Sequence, residues 1–171
     1  MNYHKIAITG KMGSGKTTLS EYIIKKYPEF KKYSFATRVK ELAVELFNME
    51  YKDRGLLINF ANKMRDIDPD VWARYVINQT KSENWIIIDD LRYFNEYQLL
   101  RKNNFKIVKL DISDQLQEQR LRETYPDTFQ NHLDHRENIS ENNLNQLKDQ
   151  DFDLVVNCDN DDIYQKIDQF L

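Results

Sequence analysis

Residues Gly10 to Thr17 read G-K-M-G-S-G-K-T, a run of glycines closed by a lysine and a hydroxyl. Gly10, Gly13 and Gly15 permit backbone dihedrals that a Cβ would oppose, so successive N–H groups can turn inward and form an anion nest. The run satisfies G-x-x-x-x-G-K-[ST], and it sits after an apolar strand and before an amphipathic helix whose N-terminal dipole points at the same place. Only 4 glycines occur in the chain and three of them lie here, so their use is local. Gly10, Lys11, Met12, Gly13, Ser14, Gly15, Lys16, Thr17 and Thr18 are therefore expected to hold a nucleoside triphosphate, ATP with magnesium. Lys16 would reach the β and γ phosphates, and the Thr17 hydroxyl would ligate the metal.

A second constellation is "WIIIDDLRYFNE", Trp85 to Glu96. A buried strand ending in Asp89 and Asp90 brings carboxylates to the carboxyl edge of the sheet, where the phosphate loop also opens. Asp90 is the expected magnesium partner and Asp89 the reserve, although acid pairs at strand ends also cap helices. Arg92 follows, and its planar guanidinium can grip a phosphate through two parallel hydrogen bonds. Further cations are Arg38, Lys40, Arg54 and Arg65 upstream, with Arg120, Arg122 and Arg136 downstream. A local cluster of such cations can bind small anionic ligands whatever the net charge of the chain. Lys and Arg on amphipathic helices are also commonly solvated or paired with nearby Glu. Arg120, at the entrance to a polar loop, is the expected partner of the transferring group, and Arg122 can exchange roles with it. His4, His132 and His135 accompany no serine or cysteine nucleophile and read as surface or lid residues.

The elements that must position these groups are legible as apolar runs of strand length alternating with helical periodicity, the pattern of an α/β fold with a parallel sheet. Strands are predicted at Lys5–Thr9, Lys32–Phe35, Trp85–Asp89, Lys106–Asp111 and Phe152–Asn157. Helices are predicted at Lys16–Lys26, Arg38–Phe47, Arg54–Met64, Asp70–Thr80, Asn95–Lys102, Asp114–Glu123 and Asp161–Phe170. Ile86, Ile87 and Ile88 do not alternate with polar residues, so their strand should lie mid-sheet. Val39, Leu42, Ala43, Leu46 and Phe47 form one apolar stripe, expected to face the core. From Thr124 to Gln150 the chain is polar and asparagine-rich, a candidate lid.

Composition frames these readings. A chain of 171 residues, 40% hydrophobic and 31% charged, supports one substantial core, so one domain over residues 1–171 is expected. Its net charge of -3 argues against a nucleic-acid binder. Cys158 is the single cysteine and permits no internal disulfide. No signal segment or membrane-length apolar run occurs, which reads as a cytoplasmic protein without membrane partners.

The string "DLRYFNE", Asp90 to Glu96, resembles the D-V-R-F-P-N-E signature of the viral deoxynucleoside monophosphate kinases, a branch of the P-loop nucleoside monophosphate kinases. "SFATRVKELAVELF", "RGLLINFANKMRDIDPDVWARYV", "NISENNLN" and "FDLVVNCDNDDIYQKID" are similar to successive segments of that family, so the likeness runs along nearly the whole chain. Phe94 stands where the family has proline, Asn138 where it often has histidine, and Ala61 and Asn62 where leucine and glycine are usual. The resemblance implies a three-layer α/β/α P-loop kinase fold with a five-stranded parallel sheet. It further implies an acceptor segment over about residues 35–80 and a lid over about 114–145. The implied activity is phosphoryl transfer from ATP to a (deoxy)nucleoside 5'-monophosphate, a small-molecule partner; many such folds form a homodimer through a helix on one face, and the sequence does not read out the oligomeric state. Arg65 and Arg92 would hold the acceptor phosphate. Phe35, Ala36, Arg38, Lys40, Asp70, Trp72, Asn95 and Glu96 would line or read the acceptor, though aromatics in such segments also serve as core. Rival readings are a kinase for another small acceptor, such as dephospho-coenzyme A, and a nucleotide-dependent switch without kinase activity.

Overall fold

The structure is a computed structural model that describes residues 4–134, 142–160 and 162–171. Strands β1 (His4–Gly10), β2 (Lys31–Tyr33), β3 (Trp85–Ile88), β4 (Lys106–Asp111) and β5 (Leu154–Asn157) form one parallel sheet in the order β2-β3-β1-β4-β5. The helices are α1 (Lys16–Lys26), α2 (Phe35–Phe47), α3 (Arg54–Ile67), α4 (Val71–Gln79), α5 (Phe94–Lys102), α6 (Asp114–Thr124), α7 (Phe129–Asp134) and α8 (Ile163–Phe170). No helix among the described residues is long and apolar enough to cross a membrane.

Alternation along the strands builds the two helical layers. Ala7, Ile86, Ile88 and Ile107 pack with α2, α4 and α5 on one face of the sheet. Ile6, Ile8, Ile87 and Val108 pack with Leu19 and Ile23 of α1 and Ile167 of α8 on the other. A strand apolar on both faces must be covered on both, which is why β1 and β3 are interior. The expected α/β/α sandwich with five parallel strands is therefore the observed fold. β1 takes the middle position and β3 lies beside it, between β1 and β2.

Local chemistry moves several boundaries. Lys32–Phe35 is predicted as strand, yet Ser34 caps a helix by accepting the Ala36 N–H at 3.2 Å, so Phe35 starts α2. Phe152 and Asp153 precede β5 because a 3₁₀ turn at Asp149–Asp151 comes first, with the Asp151 carboxylate accepting the Lys148 N–H at 2.7 Å. Within the stretch read as loop, α7 forms, and its His132 stacks on Tyr125 with ring centroids 4.2 Å apart. The apolar stripe of α2 is buried only at Val39 and Ala43; Leu46 and Phe47 are 61% and 50% exposed. At its end Phe47 meets Phe60 of α3 edge to face, with ring centroids 5.6 Å apart.

Candidate active site

The phosphate loop joins β1 to α1 and adopts the strained backbone its glycines allow. Gly10 has φ 149°, and a Cβ there would lie 2.5 Å from the Leu110 carbonyl oxygen, so no other residue fits. Gly13 and Gly15 are left-handed, at φ 79° and 94°. Lys16 Nζ donates to the carbonyls of Gly10 at 2.6 Å and Lys11 at 3.0 Å, which lays the ammonium along the inside of its own loop. α6 holds the outer face. Gln117 Nε2 donates to the Met12 carbonyl at 2.8 Å, while Arg120 Nη1 donates to the carbonyls of Gly13 at 3.2 Å and Ser14 at 3.4 Å. Those contacts hold the loop in the curved path of an anion nest. Met12 to Thr18, Arg92 and Arg120, but not Gly10 or Lys11, line a cavity of about 480 Å³, which continues past Tyr125 at the end of α6 to Ile163 and Tyr164 of α8.

A second cavity, of about 670 Å³, opens between α2, α3 and the turn after β3. Phe35, Ala36, Lys40, Arg65, Arg92 and Glu96 line it, as does Asp90. Lys52, Arg54, Leu57 and Ile58 add a cationic and apolar wall from the start of α3. Arg65 lies over the Tyr93 ring, 4.5 Å from its centroid, and donates to Asn62 Oδ1 at 3.2 Å. Met12 and Arg92 line both cavities. The two spaces therefore share a wall, and that wall carries a guanidinium.

The paired carboxylates divide their work. Asp90 Oδ1 accepts the Phe35 N–H at 3.1 Å, and Oδ2 accepts the Ser34 hydroxyl at 2.7 Å and the Ala36 N–H at 3.0 Å. It tethers the N-terminus of α2 and lines the second cavity, and burial raises its pKa above the usual carboxylate range. Asp89 is buried on the loop side. Its Oδ2 accepts the Ser20 hydroxyl at 2.9 Å and pairs with Lys32 Nζ at 2.6 Å, and Ser20 also reaches the Thr17 carbonyl at 2.9 Å. Among the described residues no three His, Cys, Asp or Glu side chains group to cage a metal. Magnesium carried by a triphosphate needs none, since one or two protein oxygens suffice.

Other expected site residues lie elsewhere. Trp72 is 2% exposed and donates Nε1 to the Ala61 carbonyl at 3.2 Å, so it supports the cavity from behind and is no part of its surface. Asp70 and Asn95 bond each other at 2.9 Å, with Asn95 also donating to the Pro69 carbonyl at 2.8 Å, and so fix the turn into α4. Arg38 pairs with Glu41 at 3.0 Å on the α2 surface. Arg122 pairs with Glu118 at 2.7 Å and stacks on Phe129, pointing away from the loop that Arg120 touches. Arg136, His135 and Asn138 lie outside the described residues. Sequence reading passed over Gln117 although it lies three residues from Arg120 on the same helical face, which is a usable signal. Tyr125, Ile163 and Tyr164 carried none, since they meet only through the fold.

Fold and loop together define a nucleotide-type P-loop protein, and comparison places it more narrowly. The chain belongs to the AAA domain family, whose model matches residues 6–169. No curated protein matches it in sequence. Among solved structures it is similar to a sugar kinase from Janibacter sp. HTCC2649, at 17% identity and TM-score 0.56, covering 98% of this chain and 91% of that one. A shikimate kinase from Bacteroides thetaiotaomicron is similar at 16% identity and TM-score 0.51, covering 98% and 93%. A gluconokinase from Sinorhizobium meliloti 1021 is similar at 12% identity and TM-score 0.58, covering 99% and 90%. At such identities the shared property is the P-loop kinase fold.

Proposed function

We propose that this protein is an ATP-dependent kinase of a small molecule, and within that class a (deoxy)nucleoside monophosphate kinase. The observation that carries the reading is the shared wall: Met12 and Arg92 face both the loop cavity and the second, cationic cavity. A donor held by the loop would present its terminal phosphate toward that wall, and an anionic acceptor in the second cavity would meet it there. The kinases of other small molecules named above have the same fold, which supports transfer to a small acceptor. The nucleotide acceptor is supported by the sequence resemblance around "DLRYFNE" and by a cavity that joins Phe35 and Tyr93 to Lys40, Arg65 and Arg92.

The roles follow from placement. Lys16 and Arg120 supply positive charge to the transferring group, Arg92 bridges donor and acceptor, and Arg65 with Lys40 holds the acceptor phosphate. For magnesium, Thr17 lines the loop cavity and Asp89 is linked to it through Ser20, whereas Asp90 is engaged by α2. Bound magnesium would neutralise charge on the phosphate oxygens. No covalent intermediate is needed. Because water competes as acceptor, closure over the site by the segment after α6 is part of the proposal.

The test is incubation with ATP, magnesium and each common ribo- and deoxyribonucleoside monophosphate, with dephospho-coenzyme A, shikimate and gluconate as rivals. One or a few nucleotide acceptors should yield diphosphate in step with ADP, well above acceptor-free hydrolysis. Turnover of a rival alone would reassign the acceptor, and ADP formation that no acceptor changes would leave a switch. Lys16→Ala should cut turnover by about 10²-fold or more while the far-UV spectrum is kept; undiminished turnover in that variant would overturn the mechanism.

A further inference from the structure

Glu96 is 3% exposed in the first turn of α5, yet it lines the second cavity. Its Oε2 accepts the N–H groups of Arg92 and Tyr93, each at 3.0 Å. Its Oε1 faces the other way, 3.9 Å from Arg65 Nη2. Arg65 in turn lies over the ring of Tyr93, whose main chain Glu96 holds. One carboxylate thus touches, by main chain or side chain, the two arginines that converge on the acceptor space.

We propose that Glu96 is a positioning residue of an anion site in the second cavity, fixing the Arg92 main chain through one oxygen and aiming the Arg65 guanidinium through the other. A helix cap needs only the first of these contacts. An exposed glutamate would serve as well for capping, whereas burying a carboxylate costs stability unless its charge is used. Two backbone donors and one guanidinium at ion-pair distance converge on this one group. The charged residues that share its cavity are Asp90 and Arg92 from the turn after β3, Lys52 just before α3, Arg54 and Arg65 from α3, and Lys40 from α2. Burial, opposed by its backbone hydrogen bonds, raises the Glu96 pKa to about 7, so its charge depends on conditions near neutrality.

The inference rests on reading this cavity as the acceptor site, so binding is measured apart from turnover. Inorganic phosphate is titrated calorimetrically into the protein saturated with magnesium and a non-hydrolysable ATP analogue, which keeps phosphate off the loop. Glu96→Gln keeps an oxygen for the two N–H groups and loses only the charge toward Arg65. At about pH 8, above the Glu96 pKa, this variant should melt no lower than wild type and bind phosphate about tenfold more weakly. In an Arg65→Ala background the same substitution should add nothing, because Glu96 acts through that side chain. As pH falls through about 7, wild-type affinity should lose a step that Glu96→Gln lacks; both retain the step from phosphate's own second protonation, which cancels in the ratio of the two affinities. Unchanged or tighter phosphate binding in Glu96→Gln, or no phosphate binding by the wild type, overturns the inference. Phosphate binding that responds to Glu96 in a protein that turns over no nucleoside monophosphate would sustain it and discard the nucleotide reading.

Discussion

Residue identity at this site is dictated by what each atom must face. Gly10 is fixed by a carbonyl that leaves no room for a Cβ, and Lys16 by a ring of loop carbonyls that only a long, mobile cation can follow. Glu96 has a thermodynamic signature of its own. Its pKa is raised from 4.5 to about 7, so between those values the folded protein keeps a proton that the unfolded chain releases. Stability must therefore fall as pH rises through that window, by at most about 3 kcal/mol from this group. Asp90, also raised by burial, contributes with the same sign. Denaturant titrations of Glu96→Gln across the window should show a shallower decline than wild type. Parallel curves would mean that Glu96 is ionised at the same pH in folded and unfolded chains.

At the scale of elements, helix α6 braces the phosphate loop. Its Gln117 and Arg120 grip the phosphate loop, while Arg122 points to the opposite face and pairs with Glu118. Arg120→Ala should therefore lower turnover by about 10²-fold or more. Arg122→Ala should change stability by roughly 0.5 kcal/mol or less, since exposed pairs contribute little, and should leave turnover alone. Steady-state kinetics and melting curves of the two variants check this, and equal losses of turnover would place the lid arginines differently. Helix α2 shows how packing overrides periodicity. The stripe Val39 to Phe47 is regular in sequence, but its full burial ends at Ala43 and Leu46 lies exposed. Its N-terminus is set from a distance, by Asp90 at the end of β3.

For the molecule as a whole, the central feature is that a parallel sheet delivers every functional loop to one edge. β1 carries the phosphate loop there, and the turn after β3, its neighbour, carries Asp89, Asp90 and Arg92. The cavities on the two sides of Arg92 are then adjacent by topology. A ligand joining adenosine to a deoxynucleoside through an oligophosphate chain should fill both. At a concentration of about 1,000 times its Kd it should stabilise the fold by about 4 kcal/mol. It should also raise the melting temperature more than ATP does at equal concentration. Arg92→Ala should abolish the excess over ATP, and a shift no greater than that of ATP in the wild type would mean that the cavities are not occupied together.

The sequence by itself determined the phosphate loop, the alternation of strands and helices, and the limits of α1 and β4, because each depends on neighbours within a few residues: glycine dihedrals, apolar period, turn residues. The distinction between Arg120 and Arg122 is partly local too, since Glu118 stands four residues before Arg122. What only the tertiary structure decided was which like residues do unlike work. Asp89 and Asp90 are adjacent in the chain, yet consecutive residues at a strand end turn to opposite sides, one toward Ser20 and the loop, the other toward α2. Trp72 and Phe35 are both aromatics in the acceptor segment, and only packing sends one to the core and the other to the cavity wall. Long-range proximity sets burial, burial sets charge and reach, and no local pattern encodes it.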